Sequence, residues 1–266
     1  MAKPVRIVHY INQFFAGIGG EEKGSSPLEF CEGPKGPGLG LTGLFKGEAE
    51  IVRTLWCGDN LINQNQEEVL KRVVELVAEV KPDLVLAGPA FNAGRYGLAC
   101  GMVVKACKEK LGIPGLMGLY PENPAVDIYK KDTYIVPVGE SAAKMKDALP
   151  KLAALAVKLG KNGKLDNALV DGYIQTGFRY NEYVQENAAH RAISMLMKRL
   201  KGGEPITEVP LRGFEKVPPA EPLADLKKAT IAIVTGGGMV PKGNPDNLKQ
   251  AFADAFGTYS IEGLTE

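Results

Sequence analysis

Two glycine-rich runs hold the side chains best suited to chemistry. One is His9-Tyr10-Ile11-Asn12-Gln13-Phe14-Phe15-Ala16-Gly17-Ile18-Gly19-Gly20-Glu21-Glu22-Lys23; the other is Ala87-Gly88-Pro89-Ala90-Phe91-Asn92-Ala93-Gly94-Arg95-Tyr96-Gly97. Two shorter polar clusters, Gly58-Asp59-Asn60 and Pro121-Glu122-Asn123-Pro124, accompany them. A guanidinium in a glycine-lined loop matches a carboxylate with two parallel hydrogen bonds, which makes Arg95 the best anion clamp. The structural alternative is that Arg95 ties the sheet edge by pairing with Asp59 or Glu122. Gly17-Ile18-Gly19-Gly20 either presents backbone N–H groups to a carboxylate or phosphate, or is a tight turn that needs positive φ. It lacks the GxGxxG spacing of a dinucleotide site. Asn92 either orients a substrate through its amide or serves the fold. Glu21 belongs to a charge cluster, Glu21-Glu22-Lys23, that is either solvated or part of the site. The candidate substrate-binding set is therefore Asn12, Gly17, Gly19, Gly20, Glu21, Asp59, Asn60, Asn92, Arg95 and Glu122. A polar small molecule suits it.

Other chemistries find less support. His9 lies inside a strand pattern and reads as a satisfied core histidine; His190 reads as a helix-surface or packing residue. No Ser/His/Asp arrangement emerges, so a hydrolase is not expected. Phe91 and Tyr96 read as packing. Cys31, Cys57, Cys100 and Cys107 form no CxxC pair and have no histidine at metal-ligand spacing, so neither a metal site nor a disulfide framework is expected. They read as buried thiols, with a redox or nucleophilic role as the alternative. The net charge of +1 argues against nucleic acid and anionic membrane surfaces. No apolar run approaches the roughly 20 residues of a membrane helix. The N-terminal Met1-Ala2-Lys3-Pro4 leads straight into a strand pattern. A cytoplasmic location is the expectation.

The elements that must position these loops follow from hydrophobic pattern. Strands are expected at Val5–Ile11, Glu50–Cys57, Leu84–Ala87, Gly115–Tyr120 and Thr133–Val138. Helices are expected at Gln66–Val80, Gly97–Leu111, Ser141–Leu159 with Ser141 as N-cap, and Ala188–Leu200, with a short one near Leu39–Phe45. Alternation of strands and helices predicts an α/β fold: a three-layer, flavodoxin- or Rossmann-like parallel sheet in the order 2-1-3-4-5. Every polar cluster follows a predicted strand, so all four converge on the carboxyl edge, where such sheets bind ligands. The expected division is a substrate-site domain at 1–160, a helical and extended connector at 161–228, and the beginning of a second α/β domain at 229–266. That last segment opens with a strand at Thr230–Thr235 and a glycine loop.

The runs HYINQFFAGIGGEEK, Cys57-Gly58-Asp59-Asn60 and Ala87–Gly101 together resemble the selenoprotein B subunit of glycine, sarcosine and betaine reductases, from anaerobic bacteria. Further matching segments occur in order: Gly112-Ile113-Pro114, Glu122-Asn123-Pro124, Asp127–Tyr134, Ser141-Ala142-Ala143 and Val240–Asp246. The resemblance implies reductive C–N cleavage of a small amino acid within a multisubunit complex. It implies a partner subunit whose pyruvoyl group engages the amine, and a selenocysteine that displaces it. The carboxymethyl group then passes to selenoprotein A. No residue here matches that selenocysteine, which the family carries in a later C-terminal domain. The resemblance therefore implies an N-terminal portion, inactive alone, with no cofactor bound directly. The alternatives are a non-catalytic module for a small carboxylate metabolite and a scaffold for the pyruvoyl subunit. Glycine, sarcosine and betaine are not distinguished.

Overall fold

The computed structural model describes residues 3–178 without a break, then 183–204, 208, 217–223, 225–230, 240–248, 255–260 and 262. The chain divides into two units, residues 1–179 and 180–266.

The first unit is built on a sheet. Strand β1 (Val5–Asn12) is central and buried on both sides, which is why Val5, Ile7, Val8, Tyr10 and Ile11 fall on both of its faces rather than alternating with polar residues. It is followed by β2 (Glu29–Glu32), α1 (Pro37–Leu44), β3 (Ala49–Cys57), α2 (Asp59–Gln64) and α3 (Gln66–Val80). Then come β4 (Leu84–Phe91), α4 (Gly94–Leu111), β5 (Gly115–Leu119), α5 (Pro124–Tyr129), β6 (Tyr134–Pro137), α6 (Met145–Asn162) and α7 (Ala168–Asp171). The spatial order is β2-β3-β1-β4-β5-β6. The pairs β1–β3, β1–β4, β4–β5 and β5–β6 are parallel. Counting only these five strands in chain order gives 2-1-3-4-5, the arrangement the sequence pattern predicts. Strand β2 is an addition: it pairs antiparallel with β3, Glu29 opposite Trp56. Four residues, mostly exposed, give too short a run to read as a strand.

Helices cover both faces. On one, Val69, Val73, Leu76 and Val77 of α3, spaced along one helical stripe, pack with Val103, Cys107, Ala125 and Tyr129 against Val8, Tyr10, Val85 and Met117. On the other, Leu41 of α1 and Leu149, Leu152, Ala156 and Leu159 of α6 cover Ile7, Ile51, Leu84 and Leu116. The result is the expected three-layer α/β domain.

Arg53 fixes the β2 edge. Its guanidinium donates to Glu32 Oε1 at 2.7 and 3.0 Å, to Glu79 Oε2 at 2.8 Å and to the Leu76 carbonyl at 2.8 Å. Helix bounds shift modestly from the sequence reading. Ser141 makes no side-chain cap; a short 3-10 turn at Ala142–Lys144 precedes α6 instead.

In the second unit, α8 (Ala188–Leu200) lies where periodicity predicts a helix, with Asn187 Oδ1 accepting from the His190 N–H at 3.0 Å. The predicted strand at Thr230–Thr235 lies, from residue 231 onward, outside the described residues.

Candidate functional site

Strand order reverses between β1 and β4, so the loops after these strands flank the crevice where a doubly wound sheet binds ligands. The loop after β3 joins them. Asn12 ends β1 and Asp59 opens α2 after β3; Asn12 Nδ2 donates to Asp59 Oδ2 at 2.9 Å. Asn12 Oδ1 accepts from the Phe15 N–H at 3.1 Å, folding the chain back over the strand end. Gln13 Oε1 accepts the Asp59 N–H at 3.1 Å, and its Nε2 donates to the Gly20 carbonyl at 3.4 Å.

Arg95, in the first turn of α4, joins three loops. Nη1 donates to Asn60 Oδ1 at 2.5 Å, and Nη2 pairs with Glu21 Oε2. Its partners are thus Asn60 and Glu21. The Gly24 carbonyl accepts from the N–H groups of Asn60 at 2.7 Å and Leu61 at 3.2 Å, tethering the β1 loop to α2. A side chain at Gly58 would strike this tether: its Cβ would lie 2.1 Å from the Gly24 oxygen.

The glycine run is a turn. Gly17 has φ of +74°, a region glycine enters without strain. The Gly17 N–H is spent on the Phe14 carbonyl at 3.0 Å, and the Gly20 N–H on Glu22 Oε1 at 2.9 Å. The loop's own groups use these two donors.

Asn92 and Glu122 stand apart. Both are exposed on the loops after β4 and β5, and among the described residues neither side chain hydrogen-bonds to the Asp59–Arg95 set. The residue that matters beside Glu122 is Asn123, which the sequence reading quotes but does not nominate. Its Oδ1 caps α5 through the Ala125 N–H at 3.0 Å, and its Nδ2 donates to the carbonyls of Phe91 at 3.0 Å and Ala93 at 3.2 Å. An Asn-Pro step is a helix-start signal and marks the cap; nothing local marks the two carbonyls. Gln13 is likewise missed, because its partner lies 46 positions away.

Electrostatics distinguish Asp59. It is 8% exposed, and its Oδ1 has no hydrogen-bond partner. Burial pushes its pKa up to about 6, against the Asn12 hydrogen bond and the nearby Arg95, which lower it. Beneath it, Tyr10 and Cys57 make a buried contact of 3.2 Å between Oη and Sγ. Burial raises the Cys57 thiol to about 11 and Cys107 to about 12, and pushes Cys100 up as well. These three thiols therefore stay protonated near neutral pH. His9 is fully buried, with Nε2 donating to the Gly88 carbonyl at 2.7 Å; burial lowers its pKa to about 4. It is a core residue, as its place in the strand suggests, but not a fully satisfied one: its buried Nδ1 has no hydrogen-bond partner among the described residues. Phe91 and Tyr96 are packing residues too: both rings lie against Phe15. No group of three metal-ligating side chains occurs among the described residues. Nor is any helix among them long and apolar enough to cross a membrane.

Fold and site together define a mostly parallel α/β domain with a polar, charged cluster of loops at its topological switch point. Residues 4–266 match the model of the glycine/sarcosine/betaine reductase selenoprotein B family, and the chain belongs to that family. It is 51% identical, over its whole length, to the glycine reductase complex component B subunit gamma of Carboxydothermus hydrogenoformans, covering 61% of that protein. It is 47% identical over 262 residues to the protein of that name from Peptoclostridium acidaminophilum, covering 98% of this chain and 60% of that one. The sarcosine reductase complex component B subunit beta of the same organism is 45% identical, with the same coverage. The chain thus spans about three fifths of these relatives' length. No solved structure matches it.

Proposed function

We propose that this chain is the substrate-binding N-terminal part of component B of a glycine, sarcosine or betaine reductase. In this reading the cleft at the β1–β4 switch point receives the carboxylate of a small amino acid on Arg95. The single observation that carries it is the meeting of three loops on one guanidinium, with Asn60 on one arm and an acidic side chain on the other. Asn12 and Gln13 position Asp59 beside that guanidinium.

The bond-breaking chemistry belongs to groups outside this sequence: a selenocysteine in the rest of the family's polypeptide and a pyruvoyl group on a partner subunit. The chain's own contribution is to bind and orient the substrate. The raised pKa values of Cys57, Cys100 and Cys107 support this division, because none of the three offers a thiolate. Transfer to selenoprotein A is part of the same proposal. The relatives are named for all three substrates.

The test is Arg95→Lys in the full-length complex, titrated with glycine by calorimetry. Exchanging a planar fork for a point charge should weaken binding by about 1–3 kcal/mol. Unchanged affinity would return Arg95 to a structural role. The burial of three thiols also favours a second reading, a non-catalytic carboxylate-binding module. The reading frame after codon 266 separates the two: an in-frame UGA supports the reductase subunit, and a true stop without a companion frame supports the module.

A further inference from the structure

Glu21 occupies the place on Arg95 that a ligand carboxylate would take. It pairs with Nη2 while Asn60 holds Nη1. The contact is solvent-accessible, with side chains 43% and 50% exposed, so solvent screens it and a competing carboxylate displaces it at small cost. The chain around Glu21 suits such an exchange. Glu21 sits in a one-turn 3-10 segment, Glu21–Lys23. Before it lies the run Gly17-Ile18-Gly19-Gly20; after it, the Gly24 carbonyl is tied to α2 by two hydrogen bonds. The arm is therefore tethered on both sides, through Gln13 Nε2 on the Gly20 carbonyl at 3.4 Å and through the Gly24 carbonyl, so the exchange needs only the exposed Glu21 side chain to swing.

A second acid stands behind the first. Asp59 is more than nine-tenths buried, and its Oδ1 lacks a partner. It lies within electrostatic reach of both Glu21 and Arg95. A plain carboxylate that displaced Glu21 would leave extra negative charge facing Asp59 with no compensating cation. A zwitterion brings its own: its carboxylate replaces Glu21 on the fork, and its ammonium faces the acid it has displaced.

Resting on the carboxylate-site reading above, we propose that Glu21 is a gate and specificity residue that admits zwitterionic amino acids in preference to simple carboxylates. Binding exchanges one ion pair, Glu21–Arg95, for two: ligand carboxylate with Arg95 and ligand ammonium with Glu21. No covalent step is involved.

The experiment compares glycine and acetate as probes of the full-length protein, by calorimetry or ligand-observed NMR. Wild type should prefer glycine. In Glu21→Gln, acetate should bind about fivefold tighter and glycine about twofold weaker, a roughly tenfold fall in preference. Glu21→Asp keeps the charge and should keep most of the preference, whereas a merely structural Glu21 would move both ligands alike. If Arg95→Gln abolishes binding of both ligands but Glu21→Gln leaves their ratio unchanged, the gate is overturned and the carboxylate site stands. Loss of preference in Glu21→Asp equal to that in Glu21→Gln also overturns the gate. If both ligands still bind Arg95→Gln, or neither binds wild type, the site reading falls and the gate with it.

Discussion

Asp59 and His9 are both buried, and they pull stability in opposite directions with pH. The folded-state pKa of Asp59, about 6, lies above its ordinary 3.8. Its contribution therefore favours folding at low pH and is lost as pH rises through about 6. His9, lowered to about 4 from 6.5, contributes fully above pH 6.5 and loses that contribution as pH falls toward 4. Each change amounts to about 3 kcal/mol. Across the shared window the two offset one another. Asp59→Asn should expose the His9 trend: relative to wild type, the variant should lose about 2–3 kcal/mol more between pH 7 and pH 4. Urea unfolding across that range measures it. Parallel curves for the two proteins would mean that Asp59 ionises with an ordinary pKa. At neutral pH the variant should be the more stable, since the substituted amide oxygen still accepts from Asn12 without a buried charge.

At the scale of elements, the β4 loop is held by a helix cap on the next strand's connection. Asn123 spans the two: its oxygen starts α5, and its amide binds the Phe91 and Ala93 carbonyls just before α4. Gly97 allows this closeness; a Cβ there would lie 2.5 Å from Asn123 Oδ1. Asn123→Ala removes the cap and one of the two donors to each carbonyl, leaving the Tyr120 N–H on Phe91 and the Gly97 N–H on Ala93, which should cost about 1–2 kcal/mol in chemical denaturation. A loss below about 0.5 kcal/mol would show that solvent satisfies these groups instead. The turn into α4 carries Arg95, so the same variant should also loosen the Arg95–Glu21 contact.

Element identity was largely legible from sequence. Continuous apolar runs gave β1, β3 and β4, and the i, i+3, i+4 spacing of Val69, Val73, Leu76 and Val77 gave α3. Strand β2 was not legible. Its pairing with β3 rests on residues 21 to 27 positions away and on Arg53 bridging Glu32 and Glu79, none of which leaves a local period.

For the molecule as a whole, residues 1–179 form a unit with buried clusters on both faces of its sheet. Such a unit has what an independent domain needs. Residues 3–178 expressed alone should unfold cooperatively, with a Tm within a few degrees of the full chain by calorimetry. A broad, non-cooperative melt would mean that the sheet depends on later residues. The sequence-based division at 160 and 228 remains a proposal for the intact protein.

The sequence by itself determined the α/β class, the parallel order 2-1-3-4-5, the convergence of the polar loops on one sheet edge, and the family. These follow from neighbours: side-chain period along a few turns, glycine and proline punctuation, and long matching runs. Only the tertiary structure decided who meets whom at that edge. Arg95 joins Glu21 and Asn60, at separations of 74 and 35 residues, when either Asp59 or Glu122 was equally open to it from sequence. Asp59 becomes a buried acid because Asn12 and Gln13 close over it, 47 and 46 residues away. Desolvation and long-range pairing have no local signature; they exist only once β1, β3 and β4 lie side by side and bring their loops to one place.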